Sequence, residues 1–218
     1  MSDYLPVMLS IDHPHPELEE WVVTRFELLN GAAVQVIRRQ DLPQSVDLVQ
    51  PQYLKAWLWD LVPAATQRIL FLDFDIIPLR PLPEMPDVPF IASPDVHWYD
   101  ARMRAMYPSL ADGHYFNAGF FVAHRDTQPC FEQLKSFAVA QGYNAPYENT
   151  FEQTPFNHLI QSQFAVHWLP HTVHCMAHTD YPELPTACLL HLAGVQGELR
   201  WVVMETVRMA LAGELTAG

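Results

Sequence analysis

The sequence has few basic residues and few glycines. Its 12 Lys and Arg residues are outnumbered by 25 Asp and Glu residues, which gives a formal net charge of -13 at pH 7. Nucleic-acid binding is dominated by phosphate neutralisation, so this charge argues against a nucleic acid as partner. Only 8 of the 218 residues are glycine and 50% are hydrophobic, which indicates a packed globular chain and excludes a disordered one.

Cysteines, long apolar runs and targeting signals are also scarce. The three cysteines, Cys130, Cys175 and Cys188, form no spacing motif. An odd number of cysteines without a secretory signal pattern predicts reduced thiols in a cytoplasmic protein. No apolar run reaches the length of a membrane span. With no internal repeat and an even composition, the chain is expected to form a single domain over residues 1–218.

Strands and helices are predicted to alternate in the first part of the chain. Strands at 6–11 and 33–37 flank a helix at 17–29, and a second helix beginning at Pro51 leads into an apolar strand at 68–79. Each strand, helix, strand unit predicts a right-handed crossover and a parallel pair. The fold class is therefore α/β, with a mostly parallel central sheet and helices on both faces.

The second part of the chain is more irregular. We expect strands at 90–92 and 115–123, and helices at 131–140, from 151 onward and at 198–211. The residues from His97 to Asp112 are expected to form a surface segment or a lid. The helix at 198–211 carries charges of both signs, so packing on the domain is favoured over a membrane surface.

Two acids stand at the end of the apolar strand around which the chain is organised. Side chains alternate along a strand, so Asp73 and Asp75 are expected to point the same way and Phe74 into the opposite layer. Two carboxylates this close repel each other unless a cation lies between them. A divalent ion such as Mg²⁺ or Mn²⁺ is one explanation, and a solvated turn is the other.

Five motifs occur along the chain in this order: Lys55 in a helix, Asp73-Phe74-Asp75 after a strand, Phe116-Asn117-Ala118-Gly119, Glu152-Gln153 followed by Asn157, and His191-Leu192-Ala193-Gly194. In this order they resemble the family 8 glycosyltransferases, which include glycogenin-like and lipopolysaccharide galactosyltransferase-like enzymes. The resemblance extends from Lys55 to Trp201. It implies a GT-A fold, a nucleotide-sugar donor, usually UDP-linked, that is bound through Mn²⁺, and sugar transfer with retention of configuration.

The resemblance assigns metal ligands and a donor-binding cation. Asp73, Asp75 and His191 would bind the metal, and an imidazole beside carboxylates shifts the preference from Mg²⁺ towards Mn²⁺. The ion would bridge the diphosphate and act as a Lewis acid on the leaving nucleotide. Lys55 would lie near the donor, where its charge holds the sugar-phosphate end.

The remaining motifs are implied to surround the donor sugar. Asn117 and Gly119 would line it, with Gly119 leaving room, and Gly194 closes the last motif. Gln153, which follows Glu152, would lie nearest the reacting carbon. Glutamine is a poor nucleophile, so the expected role of this pair is positioning and electrostatic support for an oxocarbenium-like transition state.

Two stretches depart from the family pattern. In the loop after the first strand Asp12 is available to hold the nucleotide, but His13-Pro14-His15-Pro16 replaces the rest of the usual sequence. The Lys-Pro-Trp that commonly follows the terminal motif is also missing, and Arg200 is the residue available to replace the phosphate-binding lysine. Uracil recognition is therefore left open by the sequence.

Each of these residues also has an ordinary structural interpretation. Lys55 could be a solvated helix residue, Asn117 could satisfy backbone groups at an irregular strand, and His191 could be a hydrogen-bonded core histidine. A second cluster, His171, His174, Cys175 and His178, has residue types that bind zinc. Its spacing matches no closed structural site, and a turn beside the cleft is favoured.

The leading hypothesis from the sequence is a cytoplasmic, metal-dependent glycosyltransferase that uses Mn²⁺ or Mg²⁺ and moves a hexose from a nucleotide-sugar to an unknown acceptor. Two alternatives stay open. Phosphatases of the haloacid dehalogenase type also end a strand in Asp-x-Asp, although near the start of the chain. The other alternative is a nucleotide-sugar-binding protein without turnover, which the altered first loop keeps open.

Overall fold

The computed structural model describes residues 4–43, 46, 51–95, 115–140 and 152–216. The segment from His97 to Asp112, which the sequence suggests as a surface segment or lid, lies outside these residues. Among the helices of the described part, none is long and apolar enough to cross a membrane.

The regular elements alternate as expected in the first part of the chain. The strands are β1 (Leu5–Ser10), β2 (Gln35–Arg38), β3 (Arg68–Asp73), β4 (Ile76–Pro78), β5 (Phe90–Pro94), β6 (Phe116–His124), β7 (Val166–Trp168), β8 (His174–Met176) and β9 (Leu189–His191). The α-helices are α1 (Pro16–Asn30), α2 (Leu58–Leu61), α3 (Gln128–Ala140), α4 (Gln153–Gln161) and α5 (Glu198–Thr216). Short 3-10 helices cover Arg39–Asp41, Pro51–Trp57, Arg125–Thr127 and Tyr181–Thr186.

Helix α1 has the start and stop signals that the sequence suggests. Pro16 occupies its first turn together with the acids Glu17 and Glu19, which favour the positive end of the helix dipole. Gly31 ends it with φ 64°, a left-handed conformation that glycine adopts without strain, and its N–H donates to the carbonyl of Glu27. The helix can therefore return the chain to β2.

The main sheet has six strands in the order β2-β1-β3-β6-β5-β7. β1 pairs in parallel with both β2 and β3, which confirms the two crossovers predicted from the sequence. β6 is antiparallel to its neighbours β3 and β5, while β7 is parallel to β5. Within this sheet β6 alone runs against the common direction, so the mostly parallel α/β fold is confirmed.

The sheet is buried on both faces, as the apolar character of β3 predicts. Ile69 and Phe71 belong to one hydrophobic cluster, which also contains buried residues of α2, α3 and α4. Leu70 and Leu72 belong to the other, which contains the inward residues of α1. This alternation follows from the two-residue period of a strand and places helices on both faces of the sheet.

A second, smaller sheet corrects the prediction of one strand at 68–79. Residues 74 and 75 form a turn, and the chain continues as β4 in a three-stranded sheet with the order β4-β9-β8. Ile76 pairs with His191 across the antiparallel β4 and β9. Phe74 therefore does not point into the opposite layer of a strand, because it belongs to the turn that connects the two sheets.

Two helices also differ from their predicted form. The helix expected from Pro51 is a 3-10 helix up to Trp57 and becomes α-helical only at Leu58. The C-terminal helix extends to Thr216, beyond the predicted residue 211. Its Met204 is fully buried in the cluster that contains α1, so this helix packs on the rest of the chain.

Candidate functional site

Polar side chains converge on one edge of the main sheet. β1, β3 and β5 run in the same direction, and their carboxyl ends lie at this edge, where Asp73 ends β3 and Asp95 follows β5. The reversed strand β6 begins at the same edge and contributes Asn117 and Gly119. Ligands of open α/β sheets bind outside the carboxyl ends of the strands, so this edge is the expected place for a functional site.

A cavity of about 390 Å³ lies at this edge, within the size range of small-molecule sites. Every residue that the sequence suggests for the site, except Asp12, lines this cavity: Lys55, Asp73, Asp75, Asn117, Gly119, Glu152, Gln153, His191, Gly194 and Arg200. Residues that lie up to 145 positions apart in the chain, from Lys55 to Arg200, therefore meet in one place.

Asp73, Asp75 and His191 form a group that is able to hold a metal ion. One ligand atom from each lies within 4.8 Å of the others, and no other group of three or more His, Cys, Asp or Glu in the described residues is placed this way. His191 Nε2 is 3.3 Å from Asp75 Oδ1. Two carboxylates and an imidazole are suitable ligands for Mn²⁺ and less typical of Mg²⁺, so the donor set fits the predicted ion.

The sheet topology explains why these three residues meet. Asp75 immediately precedes β4, whose first residue, Ile76, pairs with His191 at the end of β9. The N–H of Leu192 donates to the carbonyl of Asp75 at 3.1 Å, which fixes the two segments side by side. The turn after β3, rather than alternation along a strand, therefore brings Asp75 to Asp73.

The two acids have different electrostatic surroundings. Burial by itself would raise the pKa of Asp75, but the charges of His191 and Arg200 and a hydrogen bond from His191 outweigh it and lower this pKa. The pKa of Asp73 is raised, because desolvation together with the charge of Asp75 outweighs the attraction of Lys55.

Lys55 is a buried cation between two acids. Its side chain is 5% exposed, and its Nζ lies 2.6 Å from Glu152 Oε1, 3.8 Å from Asp73 Oδ1 and 3.0 Å from the carbonyl oxygen of Ala118. Burial lowers its pKa, but the nearby carboxylates outweigh that effect and raise it, so the amine remains charged. The solvated-helix interpretation of Lys55 is wrong.

Asp95 joins two of the predicted site residues, although the sequence reasoning did not include it. Its Oδ2 accepts hydrogen bonds from Asn117 Nδ2 at 3.0 Å and Gln153 Nε2 at 3.1 Å. Gln153 Oε1 accepts from the N–H of Ala118 at 2.9 Å, so the orientation of this amide is fixed. Asp95 is 1% exposed, and its Oδ1 has no hydrogen-bond partner among the described residues.

Asn157, which follows Glu152-Gln153 in the fourth motif, has a structural role. Its Oδ1 accepts from the N–H of Phe116, and its Nδ2 donates to the carbonyl oxygens of Phe116 and Gln153. These bonds attach the first turn of α4 to the start of β6. Gln153 and Asn117 are therefore held on adjacent, mutually fixed elements.

Gly119 lies against the group of Asp73, Asp75 and His191. A Cβ at this position would come within 2.4 Å of His191 Cε1, 2.7 Å of Asp73 Oδ2 and 2.9 Å of Asn117 Oδ1. The absence of a side chain at this position thus leaves room for the ligand side chains themselves.

Gly119→Ala is expected to weaken Mn²⁺ binding about 10- to 100-fold, because the methyl group displaces His191 and Asp73, and the overpacking should cost about 1–3 kcal/mol of stability. Titration calorimetry with Mn²⁺ measures the first effect and thermal unfolding the second. Gly213→Ala is the matched control, since a Cβ there meets nothing within 4 Å. Equal Mn²⁺ affinity in Gly119→Ala and wild type would contradict this account.

Arg200 and Gly194 come from the segment after β9. Arg200 Nε lies 3.3 Å from Asp75 Oδ2 and donates to the carbonyl oxygen of Val195 at 2.9 Å. Gly194 has φ 80°, a conformation that favours glycine, and a Cβ at this position would lie 3.4 Å from His178 Nδ1. Together they shape the side of the cavity that is formed by the start of α5.

An aromatic cluster borders the same side. The ring of Phe74 packs against His13, at 5.0 Å between centroids, and against Trp201 at 5.8 Å. His13 and His15 also contact Trp201. This cluster connects the loop after β1 to α5. Asp12 lies outside the cavity, where Arg39 Nε donates to its Oδ2 at 2.7 Å.

The four residues that suggested a possible zinc site do not form a group that could hold a metal ion. His174 is fully buried and hydrogen-bonded to His191, and His171 Nδ1 lies 2.8 Å from Asp180 Oδ2. Cys175 Sγ donates to the carbonyl oxygen of Asp180. These contacts give the cluster ordinary protein partners, and its ligand atoms do not form a metal-binding group.

Two residues of the site were missed by sequence reasoning. Asp95 has a signal that could have been used, since it directly follows a strand whose carboxyl end lies at the functional edge. His174 has none, because its contact with His191 depends on the pairing of β8 with β9.

Comparison with known proteins gives matches at the level of structure only. No family model matches the sequence, and no curated protein matches it. A glycosyltransferase involved in the glycosylation of the major capsid of PBCV-1 superposes with a TM-score of 0.63 and 16% identity, over 93% of this chain and 99% of that one. The chain has a glycosyltransferase fold. The GT-A architecture expected from the resemblance is confirmed.

Two further structures support this. The galactosyltransferase LgtC, in complex with donor and acceptor sugar analogs, matches with a TM-score of 0.62 and 16% identity over 87% of each chain. The glycosyltransferase GlyE of Streptococcus pneumoniae TIGR4 matches with a TM-score of 0.60 and 14% identity, over 94% of this chain and 60% of that one. At these identities the likeness concerns the fold, and function has to be argued from the site.

Proposed function

We propose that this protein is a metal-dependent, retaining glycosyltransferase that moves a hexose from a nucleotide-sugar, with UDP as the nucleotide, to an acceptor. The observation that carries the proposal is the group of Asp73, Asp75 and His191 in a cavity that Asp95, Asn117 and Gln153 also line. An ion-binding end next to an amide and carboxylate end suits a ligand with a diphosphate at one end and hydroxyl groups at the other.

A metal fits the first end of the cavity. Asp73, Asp75 and His191 would hold Mn²⁺ or Mg²⁺, and the bound ion would act as a Lewis acid on the diphosphate leaving group. The protein has a net charge of -13, which repels a free diphosphate unless local cations offset it. Arg200 is such a cation: its guanidinium reaches the rim of the metal group and is able to bind phosphate oxygens.

The second end of the cavity suits a sugar. Sugar hydroxyls both donate and accept hydrogen bonds, and the carboxylate of Asp95, which lines the cavity, is an acceptor for one of them. Asn117 and Gln153 are held by Asp95 and by backbone groups, so their amides need no reordering when a sugar binds. Glu152 contributes negative charge next to Lys55 at the same wall.

Retention would follow from attack by the acceptor on the face of the sugar from which the nucleotide departs. In this step the bond from the anomeric carbon to phosphate oxygen breaks, the bond to the acceptor oxygen forms, and the hydroxyl proton passes to the leaving phosphate. Positive charge develops on the sugar ring in the transition state. The carbonyl oxygen of Gln153 and the carboxylates of Asp95 and Glu152 are the groups that would stabilise this charge.

A ligand panel tests the proposal. We expect UDP to raise the unfolding temperature only when Mn²⁺ is present. At a UDP concentration of 100 times its dissociation constant, the free energy of unfolding should increase by about 2.7 kcal/mol. The increase should be larger with UDP than with GDP or CMP. A UDP-hexose should then be hydrolysed slowly to UDP in the absence of an acceptor. Binding without turnover of any nucleotide-sugar would favour a binding protein. Hydrolysis of a phosphomonoester with Mg²⁺ but no UDP binding would favour a phosphatase.

A further inference from the structure

We propose that His174 is a positioning residue for the metal site: in the metal-loaded state its Nε2 accepts a hydrogen bond from Nδ1–H of His191, which leaves the lone pair of His191 Nε2 available to the ion. This inference rests on the proposed function, because it concerns the metal-loaded state. His174 is one of the residues that the sequence suggested for a separate metal site, and the structure gives it a different neighbour.

The geometry of the two imidazoles defines the contact. His174 Nε2 lies 3.0 Å from His191 Nδ1, and both residues are buried, His174 completely. On the other side of its ring, His191 Nε2 lies 3.3 Å from Asp75 Oδ1. The two nitrogens of His191 thus have separate tasks, one towards the metal-binding group and one towards His174.

The number of protons on a neutral imidazole decides the direction of the hydrogen bond. A metal ligand must offer a lone pair, so His191 Nε2 carries no proton when it binds an ion and Nδ1 carries it. His174 Nε2 must then accept, and the proton of His174 is on Nδ1.

The position of His174 is fixed by the fold. β8 pairs in parallel with β9, with Met176 opposite His191 and His174 opposite Leu189. The His174 ring packs against Phe120 of β6 at 5.2 Å and lies 5.1 Å from the His191 ring, with an angle of 27° between the planes. Because sheet pairing and packing restrict both rings, His174 pre-organises His191 before an ion arrives. Such outer contacts typically change metal affinity 10- to 100-fold.

Two substitutions separate the hydrogen bond from packing. His174→Phe keeps a planar ring of similar size but removes the acceptor, and His174→Gln places an amide oxygen near the position of Nε2. We expect His174→Phe to weaken Mn²⁺ binding about 10- to 100-fold, measured by the electron paramagnetic resonance signal of free Mn²⁺, and His174→Gln to recover most of the affinity. The exposed His167 provides the matched control, His167→Phe, with unchanged affinity.

Nitrogen-15 correlation spectra of the wild-type histidines test the tautomer directly and do not depend on a variant that folds. With the diamagnetic Mg²⁺ bound, His191 and His174 should both carry their proton on Nδ1. A proton on Nε2 of His174 would overturn the proposal. The proposal would also be overturned if His174→Phe bound Mn²⁺ as tightly as wild type while Asp75→Asn lost Mn²⁺ binding. That result would leave the proposed function intact. Absence of Mn²⁺ and Mg²⁺ binding by wild type would overturn both.

Discussion

Asp75→Asn is expected to reduce Mn²⁺ affinity more than 100-fold and to remove metal-dependent UDP binding. The substitution keeps the shape of the side chain but removes the charge that His191 and Arg200 face. Loss of an outer contact typically weakens a metal site 10- to 100-fold, so loss of a charged ligand should exceed that range. The lowered pKa of Asp75 means that its carboxylate is ionised at neutral pH and ready to bind.

Calorimetry with Mn²⁺, and then with UDP in the presence of Mn²⁺, measures this effect. Asp87→Asn is the matched control, since it makes the same change in charge at a side chain that is 85% exposed and does not line the cavity. The control should bind like wild type. If Asp75→Asn still bound UDP with the same dependence on Mn²⁺ as wild type, the assignment of the site would be contradicted.

The acid pair could be predicted from sequence because its signal is local. The apolar run before Asp73 predicts a strand that ends at this residue, and its composition predicts that the strand is buried on both faces. The way in which Asp75 joins Asp73 could not be predicted. A two-residue turn and a strand as short as β4 leave no periodic signal, so the sequence predicts one continuous strand.

The contacts of His191 and Lys55 are not local, and this limits what a sequence can show. His191 reaches Asp75 only because β9 pairs with β4 in a particular register, and a shift by one residue would turn its side chain away. Without the resemblance to known enzymes, His191 and Lys55 would be an ordinary core histidine and a surface lysine. Asp95 belongs to no motif, and its sequence signal is only that it directly follows a strand; its contact with Asn117 depends on the pairing of β5 with β6.

Lys55→Met is expected to lower the free energy of unfolding by about 3–5 kcal/mol at neutral pH, because it leaves the buried carboxylate of Glu152 without its cation. It should also disturb the site, since Lys55 bonds the carbonyl of Ala118 beside Gly119 and lies near Asp73. Urea denaturation gives the stability, and the UDP titration described above gives the binding.

The pH dependence of this effect follows from Glu152. Burial raises the pKa of Glu152 above its ordinary value of 4.5 although Lys55 opposes the shift. A raised pKa in the folded state contributes stability that is present below pH 4.5 and is lost as the pH rises through the folded pKa. Without Lys55 this pKa rises further. The variant should therefore lose more stability than wild type between pH 4.5 and neutral pH.

A double-mutant cycle isolates the ion pair from the other contacts of Lys55. Glu152→Gln removes the charge that Lys55→Met leaves uncompensated, so the double variant should recover part of the lost stability, with a coupling of about 0.5–3 kcal/mol. Lys135→Met is the control, because Lys135 also contacts two acids, Asp60 and Glu132, whose side chains are 40% and 49% exposed. Lys135→Met should lower the free energy of unfolding by less than about 1 kcal/mol, since solvent screens such ion pairs. If Lys55→Met and Lys135→Met lowered the free energy of unfolding equally at every pH, burial of the Lys55 and Glu152 pair would have no energetic consequence.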